Sequence, residues 1–124
     1  MKSIYITLIL STFFLSNAIA QIDNEDKKAF IDAEYYYLYE DFEQALPVYR
    51  ELVKKYPDNA NINYRIGMCY LHIPVDKTNP KKIAIDYLGK ATTKISQKYT
   101  EGSYKEDGAP SEVYFYLRNA YRYN

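Results

Sequence analysis

Two amphipathic stretches joined by a short polar turn occupy residues 25–57. In both stretches apolar or small side chains recur at steps of three and four, which is the spacing of one helix face. Helices joined by so short a turn lie antiparallel, so the pattern predicts a helical hairpin whose first helix covers residues 25–39. The positions in the stripes are Ala29, Ala33 and Tyr36 in the first helix and Phe42, Ala45, Tyr49, Leu52 and Tyr56 in the second.

The start of the second helix is less regular than the rest of the hairpin. Asp41 can cap this helix, and Gln44, three residues later, is a candidate capping-box partner. Pro47 stands where a proline removes a helical hydrogen bond and crowds the preceding turn. The helix is therefore expected either to start late, near Gln44, or to bend at Pro47.

A second hairpin with similar spacing follows the first. The pair Asp58-Asn59 offers an N-cap for a helix over residues 60–72. Asn79 followed by Pro80 is typical of the start of a helix, here predicted over residues 80–97. Several positions of the first hairpin recur in the second. Gly67 lies 34 residues after Ala33, and Tyr70 lies 34 residues after Tyr36. Ala84, Leu88 and Ala91 repeat the spacing of Ala45, Tyr49 and Leu52.

A polar linker and a fifth helix complete the pattern. Residues 99–110 lack calcium-loop spacing among their acidic side chains, so they are interpreted as a solvated linker. Ser111 can cap a helix over residues 111–124, whose apolar positions match those of a first helix. A first helix without its second leaves an apolar stripe uncovered, so we expect the chain to be the front of a longer polypeptide. The matching positions are Tyr114, Leu117 and Tyr121.

The first 20 residues are interpreted as an export signal. Lys2 supplies a small positive region, residues 4–15 are mainly apolar, and a small-x-small cleavage pattern ends at Ala20. The apolar run is shorter than the roughly 20 residues that span a bilayer. We therefore predict cleavage after Ala20 and a periplasmic mature chain of residues 21–124. The alternative is an uncleaved N-terminal membrane anchor.

The two hairpins together resemble the tetratricopeptide repeat (TPR) family. The resemblance rests on the 34-residue helix-turn-helix period, the small residues at fixed points, the aromatic residue three positions beyond the first of them, and the closing Pro57. It implies an all-α fold of helical hairpin repeats, a TPR-like α-solenoid. The repeats would be a first over 26–59, a second over 60–98 with an insertion at 73–79, and a partial third over 111–124.

The order of features also resembles one group of Bacteroidota envelope proteins. Those proteins join N-terminal TPR repeats to a β-propeller and a C-terminal OmpA-like domain, and some belong to the type IX secretion and gliding machinery. The resemblance rests on the signal segment, on AEYYYLYEDFEQALPVYRELVKKYPDNANINYRIGMCYL and on KEDGAPSEVYFYLRNAYRYN. It implies a periplasmic adaptor. The sequence in hand includes neither of the other domains, so their anchoring to peptidoglycan is not transferred to it.

Composition narrows the classes of partner. The chain has 16 basic and 16 acidic side chains, and removal of the signal segment would take away only Lys2. This balance argues against nucleic acid, which requires a basic footprint, and against an anionic membrane surface. One cysteine, Cys69, cannot form an internal disulfide. The 16 tyrosines are expected mainly to pack between helices, with their hydroxyls at the rim.

The TPR resemblance also implies a binding surface. Members of the family bind extended peptides or partner helices on the concave face that their first helices line. Aromatic residues with Arg, Asn and Met are the composition of adaptable interfaces. The alternative is that about half of these side chains only pack. The predicted partner-binding residues are Phe30, Glu34, Tyr37, Asn61, Tyr64, Arg65, Met68, His72, Phe115, Asn119 and Arg122.

A carboxylate clamp is not expected at this surface. Chaperone-binding members of the family hold a C-terminal carboxylate with Lys, Asn and Arg side chains. Only Arg65 of the present residues could serve in that way. The corresponding positions hold Phe30, Glu34, Arg65, Glu112 and Tyr116.

Catalysis has little support in the sequence. Cys69 and His72 give two metal ligands where a closed zinc site needs four, and as a nucleophile pair they would require an orienting third group. We therefore expect no enzyme, no cofactor, no metal and no small-molecule substrate. The expected function is an exported scaffold that binds a protein or peptide partner in the bacterial envelope. The alternatives are a structural spacer or docking segment of a longer OmpA-family envelope protein and, third, an enzyme using Cys69 and His72.

Overall fold

The computed structural model describes residues 21–74 and 79–122, and this part of the chain is a small all-helical domain. The predicted export signal and most of the loop at 73–79 lie outside the described residues. Within the described ranges there are five helices: α1 (Asn24–Leu38), α2 (Phe42–Lys55), α3 (Ala60–His72), α4 (Pro80–Ala91) and α5 (Val113–Arg122).

The first hairpin forms as the sequence predicts, with two corrections at the start of α2. The carboxylate of Asp23 caps α1, and that of Asp41 caps α2 by accepting from the amide of Gln44 at 3.3 Å. The capping box does not form, because the amide of Asp41 donates to the Tyr36 carbonyl at 2.8 Å. Of the two alternatives for α2, the late start is wrong, because the helix begins at Phe42 and continues through Pro47, which is exposed.

The second hairpin agrees with the prediction at α3 and departs from it at the end of α4. The predicted α4 extended to residue 97, but the helix ends at Ala91. The hydroxyl of Thr92 donates to the Gly89 carbonyl at 2.6 Å, and that of Thr93 donates to the Lys90 carbonyl at 2.8 Å. These bonds occupy carbonyls of the last turn, and the chain then leaves the helix axis.

The helices pack in sequence, each against the next along the chain, and α3 is the central element. All residues from 59 to 69 are buried. One face of α3 packs on α1 and α2, and the other packs on α4, α5 and the segment before α5. The first core cluster includes Ile22, Phe30, Ala33, Tyr49, Leu52, Ile62, Ile66 and Cys69, and the second includes Ala60, Tyr64, Met68, Leu88, Ala91, Ala109 and Val113.

The approach of α4 to α3 requires glycine at position 67. A Cβ atom there would lie 2.6 Å from Cγ of Leu88 and 3.2 Å from its backbone nitrogen. Such distances are well inside van der Waals contact, so any larger side chain would force the two helices apart. The small residue that the repeat pattern singled out is therefore a packing requirement.

The segment between α4 and α5 is a compact loop rather than the solvated linker that was predicted. Its ends meet where Ser96 N donates to Ala109 O and Ala109 N donates to Lys94 O, each at 2.9 Å. The Glu106 carboxylate accepts from the amides of Thr100 and Gly108, which fixes the interior of the loop. Residues 96–108 are called here the Ω-loop, because this compact segment has its ends close together.

The helix surfaces include two apolar faces that no other described element covers. On α1 this face carries Ile31, Tyr35, Leu38 and Tyr39, and on α5 it carries Tyr114, Phe115 and Tyr121. None of the helices within the described ranges has both the length and the apolar character needed to cross a bilayer.

Candidate functional site

A buried ion pair joins α1 to α3. Nε of Arg65 donates to Oε1 of Glu34 and Nη2 donates to Oε2, both at 2.9 Å. The Tyr49 hydroxyl from α2 donates to the same Glu34 Oε1 at 2.7 Å. The two charged side chains are only 2% and 6% exposed. Bidentate geometry and the third donor satisfy the Glu34 carboxylate, so three helices are held at one point.

Aromatic rings enclose the Arg65 guanidinium. Its central carbon lies 4.1 Å from the centre of the Tyr37 ring and 5.8 Å from that of Tyr64. Burial raises the pKa of Tyr37 to about 12, although the nearby Arg65 charge opposes the shift. Burial by itself would lower the pKa of Arg65, but the Glu34 charge raises it above its ordinary value. Tyr37 is therefore a neutral phenol and Arg65 a cation throughout the physiological pH range.

The Ω-loop covers the beginning of α3 and reaches α1. Tyr99 donates its hydroxyl to Asn61 Oδ1 at 2.6 Å, and the backbone carbonyl of Asp107 accepts from the amide of Ala60 at 3.0 Å. Glu101 lies 3.5 Å from Nη2 of Arg65. These contacts place the loop over predicted partner-binding residues of α3, and the contact of the Tyr104 ring with Lys27 Nζ at 4.7 Å brings the loop to α1.

The predicted partner-binding residues consequently divide by exposure. Tyr64 and Arg65 line one pocket, with Glu34 and Tyr37 beside Arg65. His72 lies at the other end of α3, stacked on Phe42 at a ring-centre distance of 4.5 Å. The buried members are Phe30, Glu34, Asn61, Tyr64, Arg65 and Met68, the half-buried members are Tyr37 and Asn119, and the exposed members are His72, Phe115 and Arg122.

The pocket at Arg65 is the most complete candidate site, because three separate elements converge on it. It has a volume of about 180 Å³ and is open to solvent. We call it the Arg65 pocket. Residues from α3, the Ω-loop and the start of α5 line it: Tyr64, Arg65, Tyr99, Glu101, Pro110, Glu112 and Tyr116.

Sequence reasoning missed most of the walls of this pocket. Glu112 and Tyr116 entered only as residues that do not fit a carboxylate clamp, and Tyr99 and Glu101 were assigned to a solvated linker. One available signal was the pair of aromatic residues, Tyr99 and Tyr104, inside an otherwise polar segment, because aromatic side chains in such a segment usually mark packing.

The tyrosine hydroxyls of the pocket are neutral. Burial raises the pKa values of Tyr64 and Tyr99, so their hydroxyls stay protonated at neutral pH. A search of the residues in the two described ranges finds no cluster of three or more His, Cys, Asp or Glu side chains that could hold a metal ion.

Cys69 and His72, the pair considered for catalysis, have separate environments. The Cys69 thiol is fully buried, and burial raises its pKa to about 12. Nδ1 of His72 lies 2.7 Å from the Met68 carbonyl of its own helix. The thiol is therefore protonated and shielded from solvent at neutral pH, which is the opposite of an activated nucleophile.

Two further hollows lie on either side of α2. One, of about 470 Å³, is lined mainly by charged side chains that include Arg50 and Lys54. The other, of about 480 Å³, is mainly apolar and is lined in part by Ala29, Val48 and Leu52. Both are open surface grooves, and each is lined by α2 and one neighbouring element, whereas three elements meet at the Arg65 pocket.

Comparison of the chain with protein-family models, with curated proteins and with solved structures gives no match in any of the three.

Proposed function

We propose that this chain is a TPR-type helical scaffold that binds a protein or peptide partner, and that the Arg65 pocket is part of its binding surface. The observation that carries the proposal is the convergence of α3, the Ω-loop and α5 on one solvent-open pocket with aromatic walls. Binding proceeds by surface complementarity and without a chemical step.

The repeat character of the scaffold is supported by equivalent packing positions in the two hairpins. Ala33 and Gly67 are 34 positions apart, and both are fully buried small residues in the first helix of a hairpin. Gly67 meets Leu88. Tyr49, which occupies the position of Leu88 in the first hairpin, reaches α1 through its bond to Glu34. Such a correspondence is expected of stacked helical hairpins.

Export to the periplasm is the second part of the proposal. It rests on Lys2, the apolar run over 4–15 and the small residues before Gln21. Intact-mass measurement of the protein from an envelope fraction tests it, because cleavage after Ala20 removes residues 1–20. An unprocessed mass in the inner membrane would instead support the N-terminal anchor.

Site-specific photo-crosslinking in cells that produce the full chain tests partner binding. A benzophenone amino acid replaces Tyr116 in the Arg65 pocket and, in matched strains, Tyr35 on α1 or Tyr114 on α5. We expect one discrete crosslinked partner from position 116. We also expect the Tyr116→Ala variant to lose that partner in pull-down at native salt, while Tyr114→Ala retains it. Absence of a crosslink at 116 would contradict the proposed site.

The alternative function, a spacer or docking segment of a longer OmpA-family envelope protein, is favoured by one observation. The apolar faces of α1 and α5 are uncovered; Tyr35 is 59% exposed and Tyr114 is 53% exposed. Other domains of one polypeptide could cover such faces. Crosslinks confined to positions 35 and 114, together with an open reading frame that continues past residue 124, would support this alternative.

A further inference from the structure

We propose that the Arg65 pocket receives a basic side chain, lysine or arginine, of the partner. This inference rests on the proposed function and adds the chemistry of the group that is recognised. Its three supports are the aromatic walls, the charge balance and the size of the pocket.

The walls suit a cation. Three of the lining residues are tyrosines, and they belong to three different elements: Tyr64, Tyr99 and Tyr116. The face of a tyrosine ring carries a partial negative charge and attracts an ammonium or guanidinium group placed over it. Tyr64 and Tyr99 contact one another edge to face, with ring centres 6.3 Å apart, so their orientation is fixed before a ligand arrives.

The charge balance of the pocket is negative, although an arginine lies at its base. The Arg65 charge is offset by Glu34, which holds it through two hydrogen bonds of 2.9 Å. Glu101 and Glu112 then remain on the rim, and the Glu101 side chain is 63% exposed. Arg65 is the one basic residue among those that line the pocket. Together with Glu34 behind it, the pocket thus has three carboxylates and one guanidinium, which leaves two negative charges in excess.

An acidic group fits the same pocket poorly. Nε and Nη2 of Arg65 already donate to Glu34, and Glu101 stands 3.5 Å from Nη2. A carboxylate approaching Arg65 would have to pass Glu101 and Glu112 and would meet their repulsion. The volume of about 180 Å³ also limits the occupant to a single side chain, rather than a helix.

A titration of the full chain with small probes tests the inference. The probes are Nα-acetyl-arginine amide and Nα-acetyl-lysine amide, with the norleucine analogue as the neutral control and the glutamate analogue as the anionic one. NMR signals of the Tyr64, Tyr99 and Tyr116 rings report binding. We expect both cationic probes to shift these signals and to bind at least about fivefold more tightly than norleucine, since a cation over an aromatic ring contributes about 1 kcal/mol.

Charge-removing variants complete the test. Glu101→Gln and Glu112→Gln should each weaken binding of the cationic probes about two- to fivefold, as expected for partly exposed ion pairs. Glu43→Gln, at an exposed position outside the pocket, should leave it unchanged. Equal binding of norleucine, tighter binding of glutamate, or no effect of either rim variant would each overturn the inference.

The same variants separate this inference from the proposed function. If the cellular partner is lost with Tyr116→Ala but retained with both Glu101→Gln and Glu112→Gln, the scaffold function stands and the preference for a basic group is wrong. If the cationic probes bind as expected but position 116 crosslinks no protein, the pocket has the inferred preference and the partner-binding function is wrong.

Discussion

Glu34 on α1 and Arg65 on α3 face each other across the domain core through two hydrogen bonds of 2.9 Å. Residues 34 and 65 belong to different hairpins, so this pair couples the two halves of the first core cluster. A buried pair of this kind adds little net stability, because both ions lose their hydration. Replacing only one of the two residues, by contrast, leaves the charge of the other isolated in the interior.

Replacing Arg65 with methionine should therefore destabilise the fold strongly. We expect a loss of about 3–5 kcal/mol in the free energy of unfolding, because the Glu34 charge stays buried without its partner. Urea denaturation followed by circular dichroism measures the loss. The double variant Glu34→Leu/Arg65→Met should recover most of it. The exposed pair Lys54–Glu51 is the control, since Lys54→Met should change stability by less than about 1 kcal/mol. Equal effects at both pairs would contradict the structural role of Arg65.

Gly67→Ala and Gly89→Ala should shift stability in opposite directions. At position 67 the new Cβ would lie 2.6 Å from Leu88 Cγ. Overpacking of this kind lowers the free energy of unfolding by about 1–3 kcal/mol. We expect this loss to exceed the gain of roughly 1 kcal/mol that alanine brings as a better helix former than glycine. At position 89 a Cβ meets nothing within 4 Å, so the helix gain of about 1 kcal/mol remains. Thermal unfolding of the two variants shows whether each substitution lowers or raises stability. Stabilisation by Gly67→Ala would show that α3 and α4 are further apart than described.

Tyr99→Phe should loosen the Ω-loop without removing an aromatic ring from the pocket. The change deletes the 2.6 Å bond to Asn61, whose side-chain nitrogen already makes no hydrogen bond within the described part of the chain. An Asn61 amide left unpaired in the interior costs about 1–3 kcal/mol.

Hydrogen exchange at the Ala60 amide is the measurement for this variant, because that amide donates to the Asp107 carbonyl of the loop. We expect exchange to accelerate in Tyr99→Phe and to remain unchanged in Tyr104→Phe. The Tyr104 ring contacts Lys27 at 4.7 Å and would be kept. Unchanged protection of Ala60 in both variants would mean that the loop is held by other contacts.

The Cys69 thiol should resist alkylation in the folded protein and should make the fold sensitive to alkali. Burial raises its pKa from 9.0 to about 12, so folding favours the protonated form. The contribution of this thiol to the free energy of unfolding is fully present below about pH 9, where the thiol of the unfolded chain is also protonated. This contribution is lost as pH rises towards 12. Iodoacetamide labelling at pH 8 with and without urea measures the resistance to alkylation. Urea denaturation at pH 9 and pH 11 measures the sensitivity to alkali, and we expect the free energy of unfolding to fall less for Cys69→Ala than for the parent chain. Rapid labelling without urea would contradict the burial of Cys69.

Local patterns predicted most of the helices because their causes are local. The bounds of α3 follow from the Asn59 cap and the apolar steps after it, and α1 differs from its predicted range by one residue at each end. The end of α4 was missed because Ile95 keeps the phase of Leu88 and Ala91. The spacing of apolar residues carries no information on side-chain hydrogen bonds such as that of the Thr92 hydroxyl, which compete with continuation of the helix.

The candidate site was harder to predict because its geometry depends on contacts between distant residues. Counting helix faces selected Tyr64 and Arg65, which line the Arg65 pocket, yet it could not show that the loop carrying Tyr99 and Glu101 would fold over them. For the same reason Glu34 was expected on an open surface, whereas the residue as a whole is only 4% exposed. Such tertiary contacts leave no periodic trace in a single sequence.

The hydrogen bond from Ala60 to Asp107 has a consequence for the order in which the chain folds. The α1–α2 hairpin relies on nearby partners, whereas the first turn of α3 receives this bond only when the distant Asp107 has been brought back to it. Until the loop closes, the flank of the central helix is uncovered, and a chaperone or an early-binding partner would have its best access there.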